Sequence, residues 1–219
     1  MKRMIGLAAF AATGMTMAGA AQAQVAVGGG IGTTGVTVEA QMKIVPGIVL
    51  RGGYNYLQYE ADDTFDDIAY QGDLDLNTFG AFVDFHPFGN SFFITGGAYL
   101  GEKSLDLTAT PTANVQIGNQ TFTPAQVGTL GMTGDLEDTA PFVGLGWDTT
   151  FENPGIGLKF VAGAMFTGSP QVSLVSTGGS LSNDPNFQAQ LTVEEQNLQD
   201  DVDNYEVYPV VQLGLTYSF

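Results

Sequence analysis

Residues Tyr205-Glu-Val-Tyr-Pro-Val-Val-Gln-Leu-Gly-Leu-Thr-Tyr-Ser-Phe219 fall into two sets when read alternately. Tyr205, Val207, Pro209, Val211, Leu213, Leu215, Tyr217 and Phe219 form one face, which is apolar throughout. Glu206, Tyr208, Val210, Gln212, Gly214, Thr216 and Ser218 form the other, mostly polar or small. A period of two belongs to the β-strand, whose side chains point alternately to opposite faces. An apolar face ending in aromatic rings fits a strand that crosses lipid and rests those rings at the interface.

The same alternation recurs upstream. Val25–Gly32 and Gly35–Ile44 read as a hairpin joined at Thr33-Thr34, with Val36, Val38, Ala40, Met42 and Ile44 outward and Thr37, Glu39, Gln41 and Lys43 inward. After Pro46-Gly47, the strand Ile48–Tyr59 sends Leu50, Tyr54 and Tyr56 one way and Arg51, Gly53 and Asn55 the other. Ile68–His86 is long, and its apolar phase reverses near Asn77; this predicts either a bulge or an early half standing above the membrane. Past the Pro87–Asn90 turn, Phe92, Ile94, Ala98 and Leu100 alternate with Thr95, Gly97, Tyr99 and Lys103. One strand is expected over Leu130–Phe151. Another is expected from Ile156, running on to Val175. With the last stretch the count is eight.

Connections alternate between short turns (Pro46-Gly47, Pro87–Asn90, Glu152–Gly155) and long loops (Glu60–Asp67, Thr108–Gly128, Ser176–Asn204). Bacterial barrels have short periplasmic turns and longer extracellular loops. Within the second loop, Gly118-Asn119 is placed to turn a small hairpin. In the third, Asp184 as cap and Pro185 in the first turn predict a helix with a sparse stripe of Phe187, Leu191, Leu198 and Val202.

Composition agrees with this pattern. The 219 residues are 44% hydrophobic and only 13% charged, with 30 glycines and no cysteine. Disulfide scaffolds and thiolate metal sites are excluded. Residues 1–23 read as a cleaved signal peptide: Lys2 and Arg3, an apolar stretch, then Ala21-Gln22-Ala23. The barrel domain is expected over 24–219. Losing Lys2 and Arg3 takes the formal charge from −17 to −19, which excludes a nucleic-acid stripe. The surrounding partner is outer-membrane lipid, and no cofactor is expected.

The four remaining cations, Lys43, Arg51, Lys103 and Lys159, all fall on sides assigned inward. A Lys or Arg at the bilayer midplane costs about 2–4 kcal/mol on the lipid face. In a lumen, Glu39, Asp84 and Asp148 can pair with Arg51 and Lys159. The magnitudes select the apolar-out arrangement over a soluble, lipocalin-type barrel. The candidate lumen network is therefore Glu39, Lys43, Arg51, Asp84, Asp148 and Lys159. It reads as a polar pathway or as a satisfied interior, since eight strands leave a lumen that side chains just fill. A candidate acidic rim comprises Asp62, Asp63, Asp66, Asp67, Asp200 and Asp201, joined by Glu60, Glu194, Glu195 and Asp203. Gathered together, these would concentrate cationic solutes. His86, the single histidine, falls at a short turn, the wrong end for an outer-surface hydrolase.

Gly32-Thr-Thr-Gly35, Asp73-Leu-Asp75, Ala140-Pro-Phe-Val-Gly-Leu-Gly146, Thr167-Gly-Ser-Pro-Gln-Val-Ser-Leu174 and Tyr208-Pro-Val210 follow one another in order. Their order and spacing resemble the carbapenem-associated outer membrane protein (CarO-like) family of Gram-negative bacteria. The resemblance implies an all-β, eight-stranded antiparallel monomeric barrel in the outer membrane, with elaborated outer loops. It also implies a link to uptake of small, basic amino acids. The last strand, with Tyr217-Ser-Phe219, resembles the carboxyl-terminal signal by which outer-membrane barrels reach the barrel-assembly machinery. Two functions stay open: a narrow or gated pore for small cationic or amino-acid solutes, and a non-conducting structural or surface-interaction barrel. An enzyme is not expected.

Overall fold

The computed structural model describes residues 24–65 and 68–219, and side chains outside 62–70. The strands are β1 (Gln24–Gly32), β2 (Gly35–Val45), β3 (Ile48–Phe65), β4 (Ile68–Phe85), β5 (Phe92–Pro111), β6 (Val115–Ile117), β7 (Gln120–Phe122), β8 (Gly128–Asp135), β9 (Thr139–Asp148), β10 (Gly155–Phe166), β11 (Gln171–Gly178) and β12 (Val207–Ser218). Helix α1 is Pro124–Val127 and helix α2 is Pro185–Val202. Residues 1–23, where a signal peptide is expected, lie outside the described residues.

Eight strands close a ring in the order β1-β2-β3-β4-β5-β9-β10-β12, all antiparallel. The seam is β12 against β1, from Ala26↔Ser218 to Gly32↔Gln212. Closure removes the sheet edges, which lipid cannot satisfy. Among the described residues no helix is long and apolar enough to span a membrane.

The faces fall as the alternation requires. Val36, Val38, Phe79, Val143, Leu145, Leu158, Leu213 and Leu215 are exposed, while Thr37, Glu39, Arg51, Asp84, Lys159 and Thr216 are buried. So extensive an apolar surface fits lipid and not water. Rings collect at both borders of this band. At the short-turn end Phe92 lies 6.0 Å from Phe88 and 5.6 Å from Trp147, and Tyr217 lies 5.3 Å from Phe219. Towards the other end Tyr54 and Phe79 lie 5.1 Å apart.

The long-loop end departs from the expected strand limits. Residues 60–65 continue β3, and β3 pairs with β4 without a break from Ile48↔Phe85 to Phe65↔Ile68. The apparent phase change near Asn77 is therefore no bulge. Leu76 is buried in the same alternation as Thr78, Phe82 and Asp84. What inverts is the chemistry: the early half of β4 stands beyond the membrane band, where outward residues become Asp73, Asp75 and Asn77.

The expected single strand over Leu130–Phe151 is two, and the chain forks between them. β5 pairs with β9 as far as Leu100↔Thr139 and with β8 from Ser104↔Asp135. At the fork Gly101 has φ +122°, a conformation closed to other residues at small cost. Lys103 ties the branches together, donating from Nζ to the carbonyls of Gly101 (2.7 Å) and Asp138 (3.1 Å). The strand after Ile156 likewise ends at Phe166, breaks at Gly168 and Pro170, and resumes as β11 paired with β8.

The result is a lobe: the upper parts of β3, β4 and β5 extended by β8 and β11. The β6–β7 hairpin, α1 and α2 pack against it around Ile117, Phe122, Val127, Phe187 and Leu191. The apolar stripe of α2 is sparse because half of its docking is polar. Glu195 and Gln199 accept from the N–H groups of Leu174 and Val172, both at 3.0 Å, and so cover the open edge of β11. One turn earlier, Gln190 and Glu194 accept from Asn119 (2.9 Å) and Gly118 (2.8 Å). Asp184 caps the helix as the sequence indicated, accepting from Asn186 and Phe187.

Candidate functional site in the barrel interior

Inward positions of five strands converge on a chain of alternating charge. Arg51 (β3) donates from Nε to Asp84 Oδ2 at 2.8 Å and from Nη2 to Asp84 Oδ1 at 3.1 Å. Nη2 also reaches Thr95 Oγ1 on β5 at 3.2 Å. The other face of the guanidinium approaches Glu39 on β2, with Nη1 3.9 Å from Oε2. Glu39 in turn holds Lys159 of β10, whose Nζ donates to both carboxylate oxygens, and accepts from Gln41 Nε2 at 2.9 Å. The order is Asp84–Arg51–Glu39–Lys159, two cations and two anions. Every member is buried. A lone buried charge costs several kcal/mol, so the balance of signs is a condition for this interior to exist.

Beside this chain lies a neutral cluster. Gln212 Nε2 donates to Thr34 Oγ1 (2.6 Å), Thr37 Oγ1 (3.2 Å) and Asn55 Oδ1 (3.1 Å), and Thr37 Oγ1 donates to the same Asn55 oxygen at 2.8 Å. The opposite wall is aromatic. Phe82, Tyr99 and Phe142 meet edge to face, with centroids 5.0–5.5 Å apart, and Val161, Met165 and Val210 pack with them. These rings fit because glycines line the strands beneath them. A Cβ on Gly80 would stand 2.3 Å from the Phe82 ring, and one on Gly163 would stand 2.7 Å from the Phe142 ring. Arg51 joins the two halves, its guanidinium 4.1 Å above the Phe82 ring. The Tyr99 hydroxyl is buried without a hydrogen-bond partner among the described residues.

Two expected network members sit elsewhere. Lys43 is not in the charge chain; its Nζ lies 5.9 Å from the Phe151 ring at the short-turn mouth. Asp148 does not pair with Arg51 or Lys159. Although it is the register partner of Lys159, its carboxylate accepts from Thr150 N at 2.8 Å and from Thr150 Oγ1, which contacts Thr216 Oγ1 at 2.6 Å. The local turn wins because Thr150 is two residues away and Lys159 is already engaged by Glu39. Lys43 and Asp148 instead line a cleft of about 340 Å³ with His86, Asn90, Phe151 and Glu152. His86 is at the short-turn end, as expected, with Nδ1 2.9 Å from the Asn90 carbonyl. Among the described residues no cluster of His, Asp or Glu could hold a metal ion.

Of the acids expected at the long-loop end, those that the structure describes lie on separate elements. Asp62 and Asp63 belong to β3, and Asp200 and Asp201 to the last turn of α2. α2 packs on β11, four strands away from β3 in the order β11-β8-β5-β4-β3. At about 4.8 Å per strand that is roughly 19 Å. Asp66 and Asp67 lie outside the described residues. Glu194 and Glu195 hold backbone N–H groups. The sequence reading also missed the stacking of Arg51 on Phe82 and the fork held by Lys103. The recurring Gly-x-Phe alternation at Gly80-Ala-Phe82 and Phe142-Val-Gly144 was the signal for the rings.

The fold matches the crystal structure of Acinetobacter baumannii CarO2 with a TM-score of 0.62, at 25% identity over 91% of this chain and 100% of that one. It matches Acinetobacter baumannii CarO with a TM-score of 0.58, at 25% identity over 90% of this chain and 97% of that one. No protein-family model matches the chain, and no curated protein does so significantly.

Proposed function

Because the chain is an outer-membrane β-barrel homologous to the CarO proteins, we propose that it is a pore, closed at rest, for small cationic or amino-acid solutes. The observation that carries this reading is the position of Glu39 between two cations. It holds Lys159 closely and Arg51 at 3.9 Å. A shift of Glu39 from Lys159 toward Arg51 would release the ammonium to its register partner Asp148 across β9 and β10, an exchange that keeps the buried charges paired, as a gate in a low-dielectric lumen requires. The cleft lined by Lys43, Asp148 and Glu152 forms a vestibule beneath that gate. The excess of acids over the whole chain favours the approach of cations over anions. The barrel acts as a monomer, and its outward-ringed last strand through Phe219 is the part the barrel-assembly machinery reads.

The competing reading is a non-conducting barrel that anchors the lobe at the cell surface. It is favoured by the packing of Phe82, Tyr99 and Phe142 across the lumen. Single-channel recording of refolded protein in a planar bilayer separates the two, with Arg51→Ala measured alongside. Cation-selective steps that grow in the variant support the gate. Silence from both proteins, with heat-modifiable migration showing that they folded, removes the pore and leaves the anchor.

A further inference from the structure

The lobe holds a second cavity, outside the barrel, with a different chemistry. Between α2, the β6–β7 hairpin and the sheet lies a space of about 180 Å³ lined by Leu107, Val115, Ile117, Met132, Leu174 and Leu198, with Glu194 among them. Its floor is one straight row across three strands, Leu107↔Met132 on β5 and β8 and Met132↔Leu174 on β8 and β11. Such a row makes a flat apolar wall. These three side chains are only half-buried, in the part of the molecule that stands beyond the lipid-facing band. A partly open apolar cavity with one polar group at its wall is the usual form of a small-molecule site.

The polar group is specific. Glu194 Oε2 accepts from Gly118 N at 2.8 Å, which fixes the carboxylate, and no hydrogen bond reaches Oε1 among the described residues. Among the described residues no side-chain amine pairs with it. From residue 104 to the end the sequence contains a single cation, Lys159, and that one is inside the barrel. Lys103, at the fork, is spent on two carbonyls.

We infer that this cavity binds a small aromatic monoamine, the ring lying on the Leu107–Met132–Leu174 row and the ammonium on Oε1 of Glu194. Size and chemistry agree. An apolar cavity of roughly 150 Å³ holds one benzene ring. The Met132 thioether is a favourable neighbour for an aromatic ring. A carboxylate already held by one N–H gives an ammonium a charge-assisted partner in fixed geometry. The site is independent of whether the barrel conducts.

The test is ligand-observed NMR on the full chain in nanodiscs, with empty nanodiscs subtracted. The probes are 2-phenylethylamine, 2-phenylethanol and 3-phenylpropanoate at neutral pH. The amine binds at least tenfold more tightly than the alcohol, and the carboxylate does not bind. Glu194→Gln, which keeps an oxygen for Gly118 N, abolishes the preference of amine over alcohol. Leu174→Trp fills the cavity and lowers binding of the amine at least tenfold; Leu198→Phe does the same from the helix side, should the first variant fail to fold. Heat-modifiable migration reports the fold of each. Equal binding of all three probes, or amine binding unchanged in a folded cavity-filling variant, overturns the proposal.

Discussion

The guanidinium carbon of Arg51 lies 4.1 Å from the centre of the Phe82 ring while its Nε donates to Asp84 at 2.8 Å. One side chain thus closes the charge chain and seats the aromatic cluster. Its removal leaves Asp84 buried without its cation, a loss of about 3–5 kcal/mol by the usual measure of a broken buried pair. Arg51→Ala should therefore lower the urea midpoint of the folded barrel sharply. Arg51→Met combined with Asp84→Leu should recover most of that loss, because no charge is then stranded. Equal losses in the single and double variants would refute this account.

Gly163 and Gly52 differ in which way a side chain would point. A Cβ at Gly163 would stand 2.4 Å from the Val143 carbonyl and 2.7 Å from the Phe142 ring; at Gly52 its nearest neighbour is 3.9 Å away. Gly163→Val should cost about 1–3 kcal/mol through overpacking. Gly52→Ala should stay within about 0.5 kcal/mol. Unfolding midpoints in the same detergent decide between them.

Leu213 and Val175 are almost equally exposed, 59% and 55%, yet they face different solvents. Leu213 lies in the lipid band of β12, and Val175 on β11 in the lobe. Leu213→Arg should cost about 2–4 kcal/mol when folding is measured into lipid vesicles. Val175→Arg should cost less than about 0.5 kcal/mol. Similar costs at both sites would misplace the membrane boundary.

The edge of β11 is held by Glu195 and Gln199. Losing one such bond is worth about 1 kcal/mol, or roughly fivefold in an opening equilibrium. In Glu195→Ala, amide exchange at Leu174 should quicken by about that factor while β12 amides keep their rates. With Gln199→Ala added, the bare edge should pair between molecules, seen as concentration-dependent dimers. Uniform acceleration across both regions would instead mean a global loss of stability.

The strands and their faces were legible in the sequence because lipid on one side and a filled lumen on the other enforce a strict period of two. Val36–Met42 and Leu213–Phe219 show it residue by residue. The lobe was harder for the same reason. Beyond the membrane, Asp73 and Asp75 face outward and Leu74 and Leu76 inward, so an unbroken strand mimicked a bulge. Leu136-Glu137-Asp138 carries neither glycine nor proline, and the division between β8 and β9 left no local mark. At the site, the inward charges Glu39, Arg51, Asp84 and Lys159 could be read from parity alone. Their partners could not, because pairing depends on which strands are neighbours: Glu39 and Lys159 are 120 positions apart and meet across β1 and β12.

β5 runs for 20 residues without interruption, roughly 66 Å at 3.3 Å per residue. Below the fork it carries Thr95 and Tyr99 into the lumen; above it, Leu107 into the lobe. Lumen and lobe therefore share one unbroken strand: residues that line the barrel and a residue that floors the outer cavity belong to the same segment, and the sheet divides beside it at Gly101.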